Sequence, residues 1–218
     1  MSDFATRRMT MVDTQIRPSD VTSYTVIEAM LNVPRELYLP AERRALAYSG
    51  DNIALAPDRV ELDVRTLAKM LEASGPGPGD LVLVVGAGLG YSAALVARMA
   101  DAVVALEEDE ALASEAQRVL AEEGVDNAAV VMGSLAGGAA KHGPFDVILI
   151  AGGVEVIPDA IAAQVKEGGR IVALFIEGHL GTAQLGVRMA DGGIVWRPIF
   201  HAAAPVLPGF GRARAFTF

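Results

Sequence analysis

Leu81-Val82-Leu83-Val84-Val85-Gly86-Ala87-Gly88-Leu89-Gly90-Tyr91 is the stretch on which the architecture turns. Five apolar residues in a row, rich in β-branched types, read as a buried parallel strand rather than a half-solvated one. The three glycines that follow cannot continue it. They allow a tight turn, and they let backbone come close to a ligand where a Cβ would collide. From Tyr91 to Ala100 small apolar residues dominate, as in a helix packed hard against a sheet. A strand, a glycine turn and a helix start place free backbone N–H groups at the carboxyl end of the strand, a natural place for an anionic or polar ligand.

Working outward toward the C-terminus, the same rhythm repeats. Ala102–Leu106 reads as a second strand. Asp109–Glu123 reads as a helix, capped by Asp109, with acidic residues near its N-terminal end and Gly124 ending it. Ala128–Met132 and Asp146–Ala151 read as strands, Pro158–Lys166 as a helix, and Gly168-Gly169 as a turn into a strand at Arg170–Phe175. Gly181–Met189 and Gly193–His201, separated by Asp191-Gly192-Gly193, read as an antiparallel hairpin. This order predicts an α/β fold: a Rossmann-like doubly wound sheet with an antiparallel C-terminal hairpin.

Working outward toward the N-terminus, residues 1–73 lack strand alternation and read as helical. Segments are expected at Val21–Met30, from Pro40 to Leu46, and at Thr66–Ala73. Ser74-Gly75-Pro76-Gly77-Pro78-Gly79-Asp80 then forms a boundary loop. The expected organisation is a helical N-terminal extension and substrate-side segment at 1–79, and a Rossmann-like domain at 80–218, forming one compact unit.

Composition narrows the function classes. Against 18 basic residues stand 27 acidic ones, a net charge of −9, so neither nucleic acid nor an anionic membrane is an expected partner. The absence of cysteine excludes disulfides, a thiolate nucleophile and a cysteine zinc site. His142, His179 and His201 show no ligand spacing, and no metal is expected. The N-terminus lacks the pattern of a signal peptide, and no apolar run is long enough to span a bilayer, which makes cytoplasm the expected location. Ser92 lies outside any Gly-x-Ser-x-Gly elbow, so a hydrolase triad is not expected. Trp196, Phe200 and Phe210 are expected to pack in the core.

Glu107 ends the second strand, 21 residues after Gly86. A carboxylate there can accept hydrogen bonds from both hydroxyls of a ribose. Glu108 and Glu110 read instead as a solvated acidic helix start. The third glycine follows the second by two residues, where nicotinamide-binding loops usually use three. With the helical leader and the C-terminal hairpin, this favours a methyltransferase over a dehydrogenase.

Several stretches carry a specific resemblance. They are Met11-Val12 with Gln15-Ile16-Arg17, Val26-Ile27-Glu28-Ala29-Met30, Val33-Pro34-Arg35-Glu36-Leu37-Tyr38 with Pro40, Arg44 with Ala47-Tyr48, and Gly86 through Ala94. Pro144-Phe145-Asp146-Val147-Ile148-Leu149-Ile150, Ile157-Pro158 and Gln164 with Gly168-Gly169 extend them. Over nearly its whole length the chain resembles the protein-L-isoaspartate (D-aspartate) O-methyltransferases. The resemblance implies S-adenosyl-L-methionine as cofactor, S-adenosyl-L-homocysteine as product, and an isoaspartyl carboxylate in a damaged protein or peptide as methyl acceptor. It places Gly86, Ala87, Gly88, Tyr91, Glu107, Ser134 and Leu135 at the cofactor.

The chain also departs from that family. Counted from Ala47-Tyr48, the family's Thr-Ile-Ser-x-Pro loop falls on Val60–Val64, with Leu62 at the serine position. Arg59, Leu62, Asp63 and Arg65 are therefore the substrate-side candidates. Arg59 and Arg65 read either as carboxylate clamps or as surface ion pairs with Glu61 and Asp63. Val84 stands where an acidic residue is common, and Ser134 where an aspartate would meet the adenine amino group. Two alternatives follow: a methyltransferase of this fold with another acceptor, and a non-catalytic binding or regulatory module.

Overall fold

The computed structural model describes residues 4–178 and 180–212; His179 lies outside them. Among the described residues three α-helices precede the main sheet: α1 (Phe4–Met11), α2 (Tyr24–Asn32) and α3 (Val64–Ser74). Between α2 and α3 lies a two-stranded antiparallel sheet, β1 (Ile53–Ala56) and β2 (Arg59–Glu61). The Rossmann-like part follows as β3 (Leu81–Val85), α4 (Tyr91–Ala97), β4 (Ala102–Glu107), α5 (Glu110–Glu122), β5 (Ala128–Met132), β6 (Phe145–Val154), α6 (Asp159–Ala162), β7 (Val165–Glu177), β8 (Leu180–Arg188) and β9 (Ile194–His201).

The large sheet runs β5-β4-β3-β6-β7-β8-β9. Its first five strands are parallel, and β8 and β9 add to β7 as an antiparallel meander. The doubly wound sheet with a C-terminal hairpin is thus present. Alternation along the central strands divides the core: Val82, Val84, Val147 and Leu149 join α1–α5, whereas Leu83, Val85, Ile148 and Ile150 pack with Leu135, Phe145, Leu207 and Phe210. The order in which successive strands are added reverses between the parallel neighbours β3 and β6, and the carboxyl ends of those strands form the crevice where open α/β sheets bind ligands.

Three elements differ from the sequence reading. Residues 53–61 form a hairpin where the leader reads as helical; Pro57 and Asp58 make its turn, with Asp58 at φ 55°. Residues Ala41–Leu46 form a 3-10 helix. The helix expected at Pro158–Lys166 stops at Ala162, because Gln164 and Val165 are claimed elsewhere. The Gln164 side chain accepts from Ala139 N–H at 2.8 Å and donates to the carbonyls of Gly137 and Ala160. Val165, buried, pairs with Phe145 and opens β7.

Candidate active site

The glycine turn lies at the carboxyl end of β3, beside the crevice. Gly86, Gly88 and Gly90 have φ of 77°, 57° and 96°, so each needs the conformational freedom that only glycine has at low cost. The turn is anchored from below, where Gly86 and Ala87 N–H donate to the Leu106 carbonyl at 3.0 and 3.1 Å. Glu107 ends the neighbouring strand, fully buried. These placements bring together Gly86, Ala87, Gly88 and Glu107. Ser134 and Leu135 follow β5 on the same edge of the sheet, Ser134 exposed and Leu135 buried.

The Glu107 carboxylate is fully occupied. Arg59 Nη1 donates to Oε1 and Nη2 to Oε2, each at 2.5 Å. Gly88 N–H donates to Oε2 at 2.8 Å, and Glu108 and Asp109 N–H donate to Oε1 at 2.9 and 3.1 Å. Five donors meet a group with about four lone-pair positions. Leu135 N–H, a donor on the adenine side of the expected site, is taken by Glu108 Oε2 at 3.2 Å.

Side chains also cover the glycines. A Cβ at Gly88 would stand 2.7 Å from Leu55 Cδ1. One at Gly86 would stand 3.1 Å from Leu207 Cδ1 and 3.5 Å from Arg59 Nη2. On the far side of the crevice, a Cβ at Gly152 would stand 2.6 Å from Leu207. The close approach that the glycines permit is used by Leu55 and Arg59 of the hairpin, and by Leu207 of a C-terminal strap. That strap is tied to β6: Gly153 N–H donates to Pro205 O at 2.8 Å, Leu207 N–H to Gly153 O at 2.9 Å, and Glu155 N–H to Phe210 O at 2.9 Å. Asn52 joins hairpin and strap, donating to Ala203 O at 2.9 Å and accepting from Asp63 N–H at 2.8 Å.

S-adenosylmethionine can be weighed against this arrangement. The floor fits a nucleoside: a positive-φ glycine turn with Glu107 one strand away. The roof, made by Leu55, Arg59 and Leu207, lies against that floor.

The substrate-side candidates separate. Arg59 is neither a surface ion pair with Glu61 or Asp63 nor an open clamp, as its guanidinium is committed to Glu107. Leu62 is buried core. Asp63 caps α3, accepting from Thr66 N–H at 2.9 Å. Arg65 is exposed and lines a cleft of about 410 Å³ with Thr14, Gln15, Ser19, Asp63 and His201. Tyr91 is buried among N-terminal residues, its ring 5.9 Å from Tyr38 and 5.0 Å from the Arg35 guanidinium.

Residues outside the candidate set also shape this region. Arg35 donates to Leu62 O at 2.8 Å and stands 3.7 Å from Glu61. Burial pushes the Glu61 carboxyl up to about 7, against the opposing pull of Arg35 and Arg59. The hairpin carried a signal: a Pro57-Asp58 turn between two short segments. The strap carried one too, in Pro205, Pro208 and Gly209 around Leu207. His142 and His201 belong to no metal-holding cluster among the described residues.

Comparison with known proteins adds the family. The family model for protein-L-isoaspartate(D-aspartate) O-methyltransferase matches residues 6–201. The protein-L-isoaspartate O-methyltransferase of Koribacter versatilis is 37% identical over 172 residues, covering 79% of this chain and 78% of the relative. Protein-L-isoaspartate O-methyltransferase 1 of Rhodopseudomonas palustris is 36% identical over 171 residues, covering 78% and 70%. Among solved structures, a protein-L-isoaspartate O-methyltransferase superposes with TM-score 0.81 at 24% identity, covering 94% of this chain and 67% of that one. A Plasmodium falciparum β-aspartate methyltransferase in complex with S-adenosyl-L-homocysteine gives 0.78 at 16%, covering 95% and 99%. At these identities the structures establish the class I methyltransferase fold. The chain belongs to the protein-L-isoaspartate (D-aspartate) O-methyltransferase family, a family of S-adenosylmethionine-dependent enzymes.

Proposed function

We propose that this protein transfers a methyl group from S-adenosylmethionine to the carboxylate of isoaspartyl residues in damaged proteins, in the cytoplasm. One observation carries the reading: a positive-φ glycine turn at the sheet's crevice, beside a carboxylate that ends the adjacent strand, in a chain of this family. Gly86, Ala87, Gly88 and Glu107 would hold the cofactor, with Ser134 and Leu135 on its adenine side. The cofactor supplies an activated methyl group when bound. An acceptor carboxylate with a pKa near about 4 is already ionised at neutral pH, so the chain's task is to align and desolvate it. In this reading residues 1–79 form the acceptor side. There Arg65 is an exposed cation lining a cleft, suited to an acceptor carboxylate.

Transfer of tritiated methyl to an isoaspartyl peptide tests the assignment. Absence of turnover with cofactor binding intact would exclude the isoaspartyl acceptor and leave another carboxylate or hydroxyl. Arg65→Ala should raise KM for the peptide about tenfold with kcat little changed, as loss of a uniform binding contact does. The roof of Leu55, Arg59 and Leu207 favours a second reading, a binding or regulatory module without turnover. Calorimetry with S-adenosylhomocysteine that detects no binding would support it.

A further inference from the structure

We propose that the β1–β2 hairpin is a displaceable plug of the cofactor site, in which Arg59 competes with the cofactor's ribose for Glu107. The inference rests on the cofactor reading above and deepens it. Glu107 has no lone pair left over: Arg59 takes both oxygens in a forked pair, and three backbone N–H groups take the rest. A ribose diol can bind this carboxylate only where the guanidinium leaves. Leu55, on the same hairpin, fills the space above Gly88, so one movement frees both places.

The hairpin is built to be the part that moves. It has strands of four and three residues and, among the described residues, pairs with no strand of the large sheet. Two-stranded hairpins without further strands are marginally stable by themselves, and this one is held by buried side chains, Ile53, Arg59 and Glu61 among them, rather than by a ladder to the large sheet. The strap, by contrast, is tied to β6 by backbone bonds and anchored by fully buried Phe210. Nucleoside binding and hairpin closure are then mutually exclusive, and apparent affinity is the intrinsic affinity reduced by the open fraction.

Calorimetric titration of S-adenosylhomocysteine into the wild-type chain and Arg59→Ala, with folding verified by circular dichroism, tests the competition. Arg59→Ala should bind at least tenfold more tightly. Arg59→Lys, which keeps the charge and loses the fork, should fall between. Equal or weaker binding by a folded Arg59→Ala, with wild-type binding intact, overturns the plug and leaves the cofactor reading standing. Absence of binding in both proteins overturns the plug and that reading together. Should Arg59→Ala fail to fold, hydrogen exchange on the wild-type protein decides. With saturating S-adenosylhomocysteine, amides of 53–61 should exchange faster while those of 86–90 exchange more slowly. Unchanged or slower exchange across 53–61 overturns the proposal.

Discussion

Two buried carboxylates flank Arg59 and are served unequally. Glu107 receives five donors, whereas Glu61 has Arg35 at 3.7 Å and is otherwise enclosed. Burial accordingly pushes the Glu61 carboxyl up to about 7 from an ordinary 4.5. A carboxyl that binds its proton more tightly when folded adds stability below the unfolded value and loses it as pH rises through the folded one. Between pH 5 and 8 the wild-type protein should therefore lose on the order of 1–3 kcal/mol relative to Glu61→Gln. Urea unfolding of both proteins across that range measures the difference, and parallel profiles would rule out a raised Glu61. Asp63 makes a sharper case against reading a role from position alone. Because its side chain caps α3, Asp63→Asn should be nearly neutral while Asp63→Ala costs about 1 kcal/mol. A large loss of methyl transfer in Asp63→Asn at unchanged stability would return Asp63 to the acceptor.

At the level of elements, the strap depends on one anchor. Phe210 is completely buried, packed with Leu135, Phe145 and Leu207. Phe210→Ala should cost about 3–5 kcal/mol, measured as a lowered urea midpoint; a loss below about 1 kcal/mol would mean that the strap is held by its backbone bonds alone. The elements that could be read from the chain are those with a local signature. β3 announces itself by an unbroken apolar run, and α5 by Asp109, whose side chain accepts from Ala111 and Leu112 N–H at 2.9 and 3.0 Å. The covering elements lack such signatures. Arg59 and Glu107 are 48 residues apart, and nothing near either one says that they meet. The same holds for Leu207 and Gly152, joined only by the path of the strap. Local pattern made the glycine turn and the end of β4 legible; the side chains that cover them are brought there by tertiary contacts.

On the scale of the whole molecule, the doubly wound order places the crevice between β3 and β6, and the N-terminal hairpin and C-terminal strap converge on it from opposite ends of the chain. The convergence covers the crevice from both sides, and the family match, residues 6–201, takes in the hairpin and ends before the strap. It also gives the Arg59–Glu107 pair a meaning in time. If the nucleoside can enter only after that pair has parted, capture cannot run faster than parting. Stopped-flow mixing with a fluorescent S-adenosylhomocysteine analogue should give an observed rate that climbs with concentration and then levels off. In Arg59→Ala it should keep climbing linearly with concentration, with a slope at or above the roughly 10⁵–10⁷ M⁻¹s⁻¹ typical of docking between two proteins. The plateau would read directly how many times each second the molecule lets go of its own arginine.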